Sequence, residues 1–288
     1  MQGTVDGFSY GLVTPVVAYL MACLGGALGL RCTTRAMLVD GRWRIGWLAL
    51  GSAAIGSGIW TMHFVAMMGF KVRQTPVHYD ALTTFASLAV AIVMVGIGIF
   101  MVASKGATGA ALFTGGTITG LGIASMHYLG MAGMRLNGTL QYNTLTVAAS
   151  VAIAVVAAIA ALWAAGQVRG FLWSVGASLV MGIAVSGMHY TGMAALDVHL
   201  HSASAAPVDG SSSAALLAPL MIGPLVFLLL AGVVVMFDPF MIMGRFHGNP
   251  DERRPGIPAQ PTAHTCRHPE SRTRREHYER SSRTPQNR

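Results

Sequence analysis

The sequence predicts an all-α, polytopic membrane protein with seven transmembrane helices, built from three two-helix repeats plus a seventh helix. Three observations carry this. The 288-residue chain is 53% hydrophobic and only 10% charged, whereas soluble domains carry roughly 25% charged residues. Seven stretches reach the about 20 mainly apolar residues that a spanning helix needs. One short phrase recurs inside them: Met62-His63-Phe64-Val65-Ala66-Met67, then Met126-His127-Tyr128-Leu129-Gly130-Met131, then Met188-His189-Tyr190-Thr191-Gly192-Met193. Its histidines lie 64 and 62 residues apart, a spacing that fits two membrane helices per repeat.

The spans are expected at 9–30, 46–70, 81–103, 109–134, 145–166, 171–196 and 215–237. No Lys or Arg precedes the first stretch, so it lacks the positive n-region of a cleavable signal and reads as a retained helix. The spans are rich in Gly and Ala, which let backbones approach closely in lipid. This gives a six-helix membrane unit over residues 1–200, then an outer loop and seventh helix over 201–243. Residues 244–288 are rich in Arg, Pro, Ser and Thr with almost no apolar run, a composition that predicts a basic, disordered tail. Cys23, Cys32 and Cys266 form no CxxC and no disulfide framework.

Orientation follows from the basic residues, which mark cytoplasmic loops. Of 19 Lys and Arg, sixteen fall in loop 31–45 (Arg31, Arg35, Arg42, Arg44), at Lys105, at Arg169 and in the tail. The alternate loops hold Lys71, Arg73 and Arg135. The N-terminus is therefore expected outside and the C-terminus in the cytoplasm. Helices two, four and six then run outward, each closed by the repeated phrase. Each histidine is expected about seven residues before its helix end, roughly 10 Å below the outer boundary.

Positions i and i+4 share a helix face, so His63 lies above Met67, His127 above Met131 and His189 above Met193. Gly56, Gly120 and Gly182 stand seven residues before each histidine, on the same face, and predict close packing against another helix. If the three helices converge, three imidazoles and several thioethers meet in one buried cluster. Soft thioether with borderline imidazole suits copper, Cu(I) above all, better than Mg, Ca or Mn. Zinc tolerates three histidines but gives no reason for the methionines. Haem accepts His and Met as axial ligands, although one haem uses two ligands and not three. No Asp or Glu falls within the first six spans, which disfavours a hard-cation site or a carboxylate proton relay. The bland alternative is histidines that only pack, with Met as core filler. Ionisable groups in a membrane mark function by default, and three at matched depth favour one shared site.

These residues resemble the MHYT domain, a bacterial integral membrane sensory module named for the tetrapeptide that stands here as Met188-His189-Tyr190-Thr191. The resemblance covers about residues 8–200, and the seventh helix resembles the family's link to the cytoplasm. The first copy reads Met-His-Phe-Val and the second Met-His-Tyr-Leu. The resemblance implies copper bound through Met62, His63, Met67, Met126, His127, Met131, Met188, His189 and Met193. It also implies sensing of oxygen, carbon monoxide or nitric oxide. Many relatives continue into a cytoplasmic output domain, whereas the tail here is too short and polar for an enzyme core.

The expected protein is thus a membrane sensor and signalling protein of the bacterial inner membrane, not an enzyme. Its expected partners are the lipid bilayer, a diatomic gas and a cytoplasmic effector protein, with no nucleic acid. The alternative is a copper uptake or transport protein. Against it, no ladder of ligands continues toward the inner ends of helices two, four and six.

Overall fold

The computed structural model describes residues 5–7, 9–72, 75, 77–167, 171–200 and 213–238. Among them, seven helices are long and apolar enough to cross a membrane, and the protein is a multi-pass membrane protein. The helices are α1 (Val13–Ala36), α2 (Gly41–Met68), α3 (Ala81–Lys105), α4 (Gly109–Ala132), α5 (Thr144–Gln167), α6 (Phe171–Ala194) and α7 (Ser213–Met236). The predicted tail, the 201–212 connection, Arg73 and Arg169 lie outside the described residues.

The first six helices form a closed ring in chain order, each packed on the next and α6 on α1. Short ribbons organise it into three units. Strand β1 (Val5–Asp6) precedes α1 and pairs antiparallel with β2 (Lys71–Val72), which follows α2. In the second unit β3 (His78–Tyr79) pairs with β4 (Met134–Arg135), and in the third β5 (Gly138–Tyr142) pairs with β6 (Leu196–Leu200). Each repeat is therefore a helical hairpin whose two ends are clipped together, and all three clips lie at one end of the bundle. The first turns are capped from the ribbons. The Asp80 carboxylate accepts from the Thr83 amide at 2.8 Å ahead of α3, and Asn143 Oδ1 accepts from the Leu145 and Thr146 amides at 3.1 Å ahead of α5. The Thr83 hydroxyl also donates to Asp80 at 2.6 Å, and these bonds hold that carboxyl below its usual range.

Two spans differ most from the sequence expectation. Helix α1 runs to Ala36 and α2 starts at Gly41, so Arg31, Arg35, Arg42 and Arg44 sit on helix ends around a tight turn, not in a long loop. Hydropathy stops at the first arginine, but a helix continues while its charged side chains find water or a partner. Arg35 finds one: its Nε donates to Asp238 Oδ2 at 2.5 Å, with side chains only 9% and 5% exposed. This ion pair ties the end of α1 to the residue just past α7. It stands beside the Trp47 ring, whose centroid is 5.8 Å from the guanidinium carbon.

Helix α7 lies outside the ring against α2 and α1. Its inward stripe is Leu217, Met221, Leu228, Ala231 and Val235, at helical spacing, and the last three pack with Leu28, Cys32 and Ala54. Leu229, Leu230, Val233 and Val234 face outward and exposed, as a bilayer-facing surface requires. Within the first hairpin α1 and α2 meet backbone to backbone. A Cβ on Gly25 would stand 2.7 Å from the Gly58 Cα, so neither position has room for a side chain.

Candidate metal centre

His63, His127 and His189 each lie five residues before the end of their helix. That is about 7.5 Å of rise, nearer the ribbon end than the roughly 10 Å expected, because each helix ends two residues earlier. Equal depth on α2, α4 and α6 brings the three side chains together inside the ring, all essentially buried. Their Nδ1 atoms form a near-equilateral triangle, with sides of 3.0 Å (His63–His189), 3.1 Å (His63–His127) and 3.3 Å (His127–His189). The rings stand almost perpendicular to one another, at 79° to 89°, like three blades about an axis.

This arrangement is electrically frustrated when the imidazoles are neutral. A neutral ring carries one N–H and one lone pair. With three Nδ1 atoms and two possible states, at least two of them must be alike. Two lone pairs or two N–H groups then face each other across about 3 Å, in a site shielded from water. A cation among them takes all three lone pairs. The point equidistant from the three nitrogens lies about 1.8 Å from each, close to the about 2.0–2.1 Å of a zinc–imidazole bond. The donor set therefore fits a small metal ion after a slight expansion. The far side of the rings is less ordinary. His63 Nε2 and His127 Nε2 are buried without a hydrogen-bond partner, whereas a ligating histidine usually donates its other N–H to an oriented acceptor.

What stands behind those nitrogens is backbone. A Cβ on Gly130 would lie 2.6 Å from His63 Nε2 and 3.1 Å from the Phe64 ring, and a Cβ on Gly192 would overlap His127 Nε2. Each glycine three residues after one histidine thus seats the histidine of the preceding repeat. The third seam departs from the rule. Ala66 occupies the corresponding position, and there a cavity of about 280 Å³ opens between α2 and α6, lined by Ala66, Met67, Phe70, His189, Tyr190 and Met193.

The glycines seven residues before each histidine pack on the next hairpin. Cβ atoms on Gly56 and Gly120 would collide with backbone at Ile92 of α3 and Val155 of α5, and one on Gly182 with Cys23 and Tyr19 of α1. They hold repeat to repeat around the ring. Met62, Met126, Met188, Met67 and Met131 are all at most 1% exposed. Met193 is half-buried.

The aromatic after each histidine stacks edge-on against it, at 4.6 Å for Phe64, 4.8 Å for Tyr128 and 5.0 Å for Tyr190. Tyr128 is anchored by its hydroxyl, 2.6 Å from the Ser150 hydroxyl. Phe64 has no hydroxyl, and the indole of Trp60, one turn earlier, supplies the anchor. Trp60 Nε1 donates to Ser87 Oγ at 2.9 Å and to the Thr84 carbonyl at 3.1 Å. Ser87 and Ser150 occupy equivalent positions, seventh in α3 and in α5. Sequence reading missed Trp60, although the tryptophan four residues before the hydroxyl-free member of the trio was the available signal. Tyr79, in the ribbon, packs on Phe64 at 6.2 Å, and burial pushes its phenol above the ordinary value.

Comparison with known proteins decides the family. The profile of the bacterial signalling protein N-terminal repeat, MHYT, matches residues 56–115 and 120–178. The chain belongs to the MHYT family. Each matched segment opens at the packing glycine seven residues before a histidine, and the third copy, with the full tetrapeptide, lies beyond both. The chain is 36% identical over 235 residues to the bifunctional diguanylate cyclase/cyclic di-GMP phosphodiesterase MucR of Pseudomonas aeruginosa, covering 80% of this chain and 34% of MucR. It is 35% identical to the cyclic di-GMP phosphodiesterase NbdA of the same organism (68% of this chain, 26% of NbdA) and 30% identical to the signaling protein YkoW of Bacillus subtilis (66% and 24%). The chain thus spans about a third or less of the length of these relatives. No solved structure matches it. Family and fold together support a membrane signalling role.

Proposed function

We propose that this MHYT protein is a sensor of the bacterial cytoplasmic membrane that holds copper at the His63/His127/His189 triad and responds to a diatomic gas: oxygen, carbon monoxide or nitric oxide. The observation that carries the reading is the triangle of Nδ1 atoms 3.0–3.3 Å apart in a buried site. Imidazole rings already in contact favour one small ion over a porphyrin, which would need a slot between two axial ligands. Buried methionines beside each histidine favour copper over zinc. Copper supplies a position where a small neutral ligand can bind. The residues do the rest. The three imidazoles would hold the ion, Gly130 and Gly192 set the His63 and His127 rings, and the cavity beside His189 gives access from the ribbon end. In this reading that end faces outward, the arginine-bearing turn faces the cytoplasm, and the reading assigns the residues no catalytic step. An effector protein in the cytoplasm receives the signal.

The transport alternative needs a succession of reversible ligand sites. Inward of the triad the helices line a void with aliphatic side chains, two threonines and two methionines, which favours a fixed site over a conduction path. Elemental analysis of detergent-purified protein tests the proposal, wild type beside the His63/His127/His189 triple alanine variant. Copper in the wild type and none in the variant is expected. Equal metal in both, or none in either, refutes it.

A further inference from the structure

The void inward of the triad has a shape and chemistry of its own. It holds about 50 Å³ and draws its lining from all six ring helices, several times the about 10–15 Å³ that one water-sized sphere occupies. Ile59, Ile123 and Val185 form part of its wall. Each stands four residues before one of the three histidines, on the same face and about 6 Å further from the ribbon end. The void therefore sits directly beneath the histidine ring, on its pseudo-threefold axis. Met188, the residue before His189, also lines it.

Its walls offer water little to hold. Thr33 and Thr119 are its polar side chains, and both spend their protons on backbone. Thr33 donates to the Gly29 carbonyl at 2.9 Å and Thr119 to the Met94 carbonyl at 3.4 Å. A buried water needs two to four polar partners, and apolar cavities of this kind stay dry and take up apolar atoms such as xenon. At the far end of the bundle a second cavity of about 280 Å³ shares Thr33, Ile99, Leu162 and Ala165 with this void, so the two adjoin.

We infer that this void is a binding chamber for one small apolar gas molecule, held one helical turn beneath the histidine triad. The identity of its natural occupant rests on the sensor reading above, but the chamber itself does not need the metal. An apolar diatomic gains there what it lacks in water: contact with aliphatic carbon at no cost in broken hydrogen bonds. The chamber raises the local supply of such a ligand next to the three nitrogens.

Xenon is the probe. Crystals of the protein as purified, pressurised with xenon, are expected to show one xenon atom among Ile59, Ile123, Val185 and Met188. Ile123→Phe fills the space and is expected to lose that atom. Ile123→Ala enlarges it and is expected to keep it, so a misfolded Phe variant does not leave the matter to one protein. No xenon at this place in the wild type, or ordered water there, overturns the inference. In copper-loaded protein, rebinding of carbon monoxide after flash photolysis is expected to change with Ile123→Phe at unchanged copper content. Xenon bound without any gas response leaves the chamber standing and removes the sensor reading. A gas response with no xenon site and no effect of Ile123→Phe does the reverse.

Discussion

Gly130→Ala is the sharpest single test of the metal centre, because it replaces none of the three histidines. The new Cβ would stand 2.6 Å from His63 Nε2 and 3.1 Å from both His63 Cδ2 and the Phe64 ring. Non-bonded contact begins near 3.5 Å, so the imidazole must retreat by about 0.9 Å. Metal sites tolerate about 0.2 Å in a ligand distance. The ring cannot swing freely to compensate, since Phe64 stacks on it at 4.6 Å and Trp60 stacks on Phe64 at 4.7 Å. Disturbing the shell that orients a ligand costs about 10–100-fold in metal affinity, and a displaced ligand belongs at the upper end. The assay is competition of copper-loaded protein against a chelator of known affinity, with Gly187→Ala as the control. Gly187 lies two residues before His189 with nothing within 4 Å of its Cβ position, and replacing a helical glycine there tests only propensity. Copper affinity is expected to fall in Gly130→Ala, and likewise in Gly192→Ala through His127, and to stay put in Gly187→Ala. Wild-type affinity in Gly130→Ala, with an intact fold, would refute the seating of His63 by the neighbouring repeat.

Other outcomes follow from the same geometry. Copper is expected to raise the melting temperature of the detergent-solubilised protein, by about 2.7 kcal/mol of stability at a hundredfold excess over Kd, and a chelator to reverse it; a melt indifferent to copper counts against the triad. Arg35→Ala removes the buried Arg35–Asp238 ion pair and is expected to cost about 3–5 kcal/mol, whereas Arg35→Met with Asp238→Leu is expected to come near neutral, both read from thermal melts. Trp60→Phe strips the donor from Ser87 and Thr84 and is expected to cost about 1–3 kcal/mol, and a melt unchanged from wild type would mean that Phe64 needs no anchor.

Sequence and structure agree most where a signal repeats. Apolar runs of two dozen residues mark the helices, and a phrase written three times puts His63, His127 and His189 at one depth on alternate helices. The disagreements have physical causes. The ribbons escape notice because β1 to β4 are two residues each, too short to carry a period of two, and they form because each hairpin brings its own ends together. The extra turn of α1 escapes because Arg31 ends the apolar run, while Arg35 pairs with a residue 203 positions away. No local pattern shows that pairing. The seating glycines are visible as small residues, but their partner histidine belongs to the preceding repeat, and that assignment needs the order of helices around the ring.

The placement of the site on the ring axis bears on signalling. An ion held by one hairpin would report on that hairpin alone. Here each repeat supplies one nitrogen, so the Nδ1 triangle measures the separation of all three hairpins at once. Drawing the three nitrogens outward from about 1.8 Å to the about 2.0–2.1 Å of a metal bond would move α2, α4 and α6 apart by a few tenths of an ångström at that level. The Gly56, Gly120 and Gly182 contacts, backbone against the next hairpin, leave little slack to absorb such a shift. Helix α7 packs mainly on α2 and α1, the two helices of one hairpin, touches β3 of the second repeat, and is tied to α1 by Arg35 and Asp238. A displacement of that hairpin relative to the other two would therefore pull α7 with it more through α1 and α2 than through β3. Arg35→Met with Asp238→Leu is expected to keep copper binding intact while loosening the tie of α7 to α1. A spin label on exposed Val233, paired with one on exposed Phe113 of α4, is expected to report a copper-dependent distance change in the wild type and a smaller one in the double variant. An equal change in both would show that the apolar stripe of α7, and not the ion pair, transmits the movement.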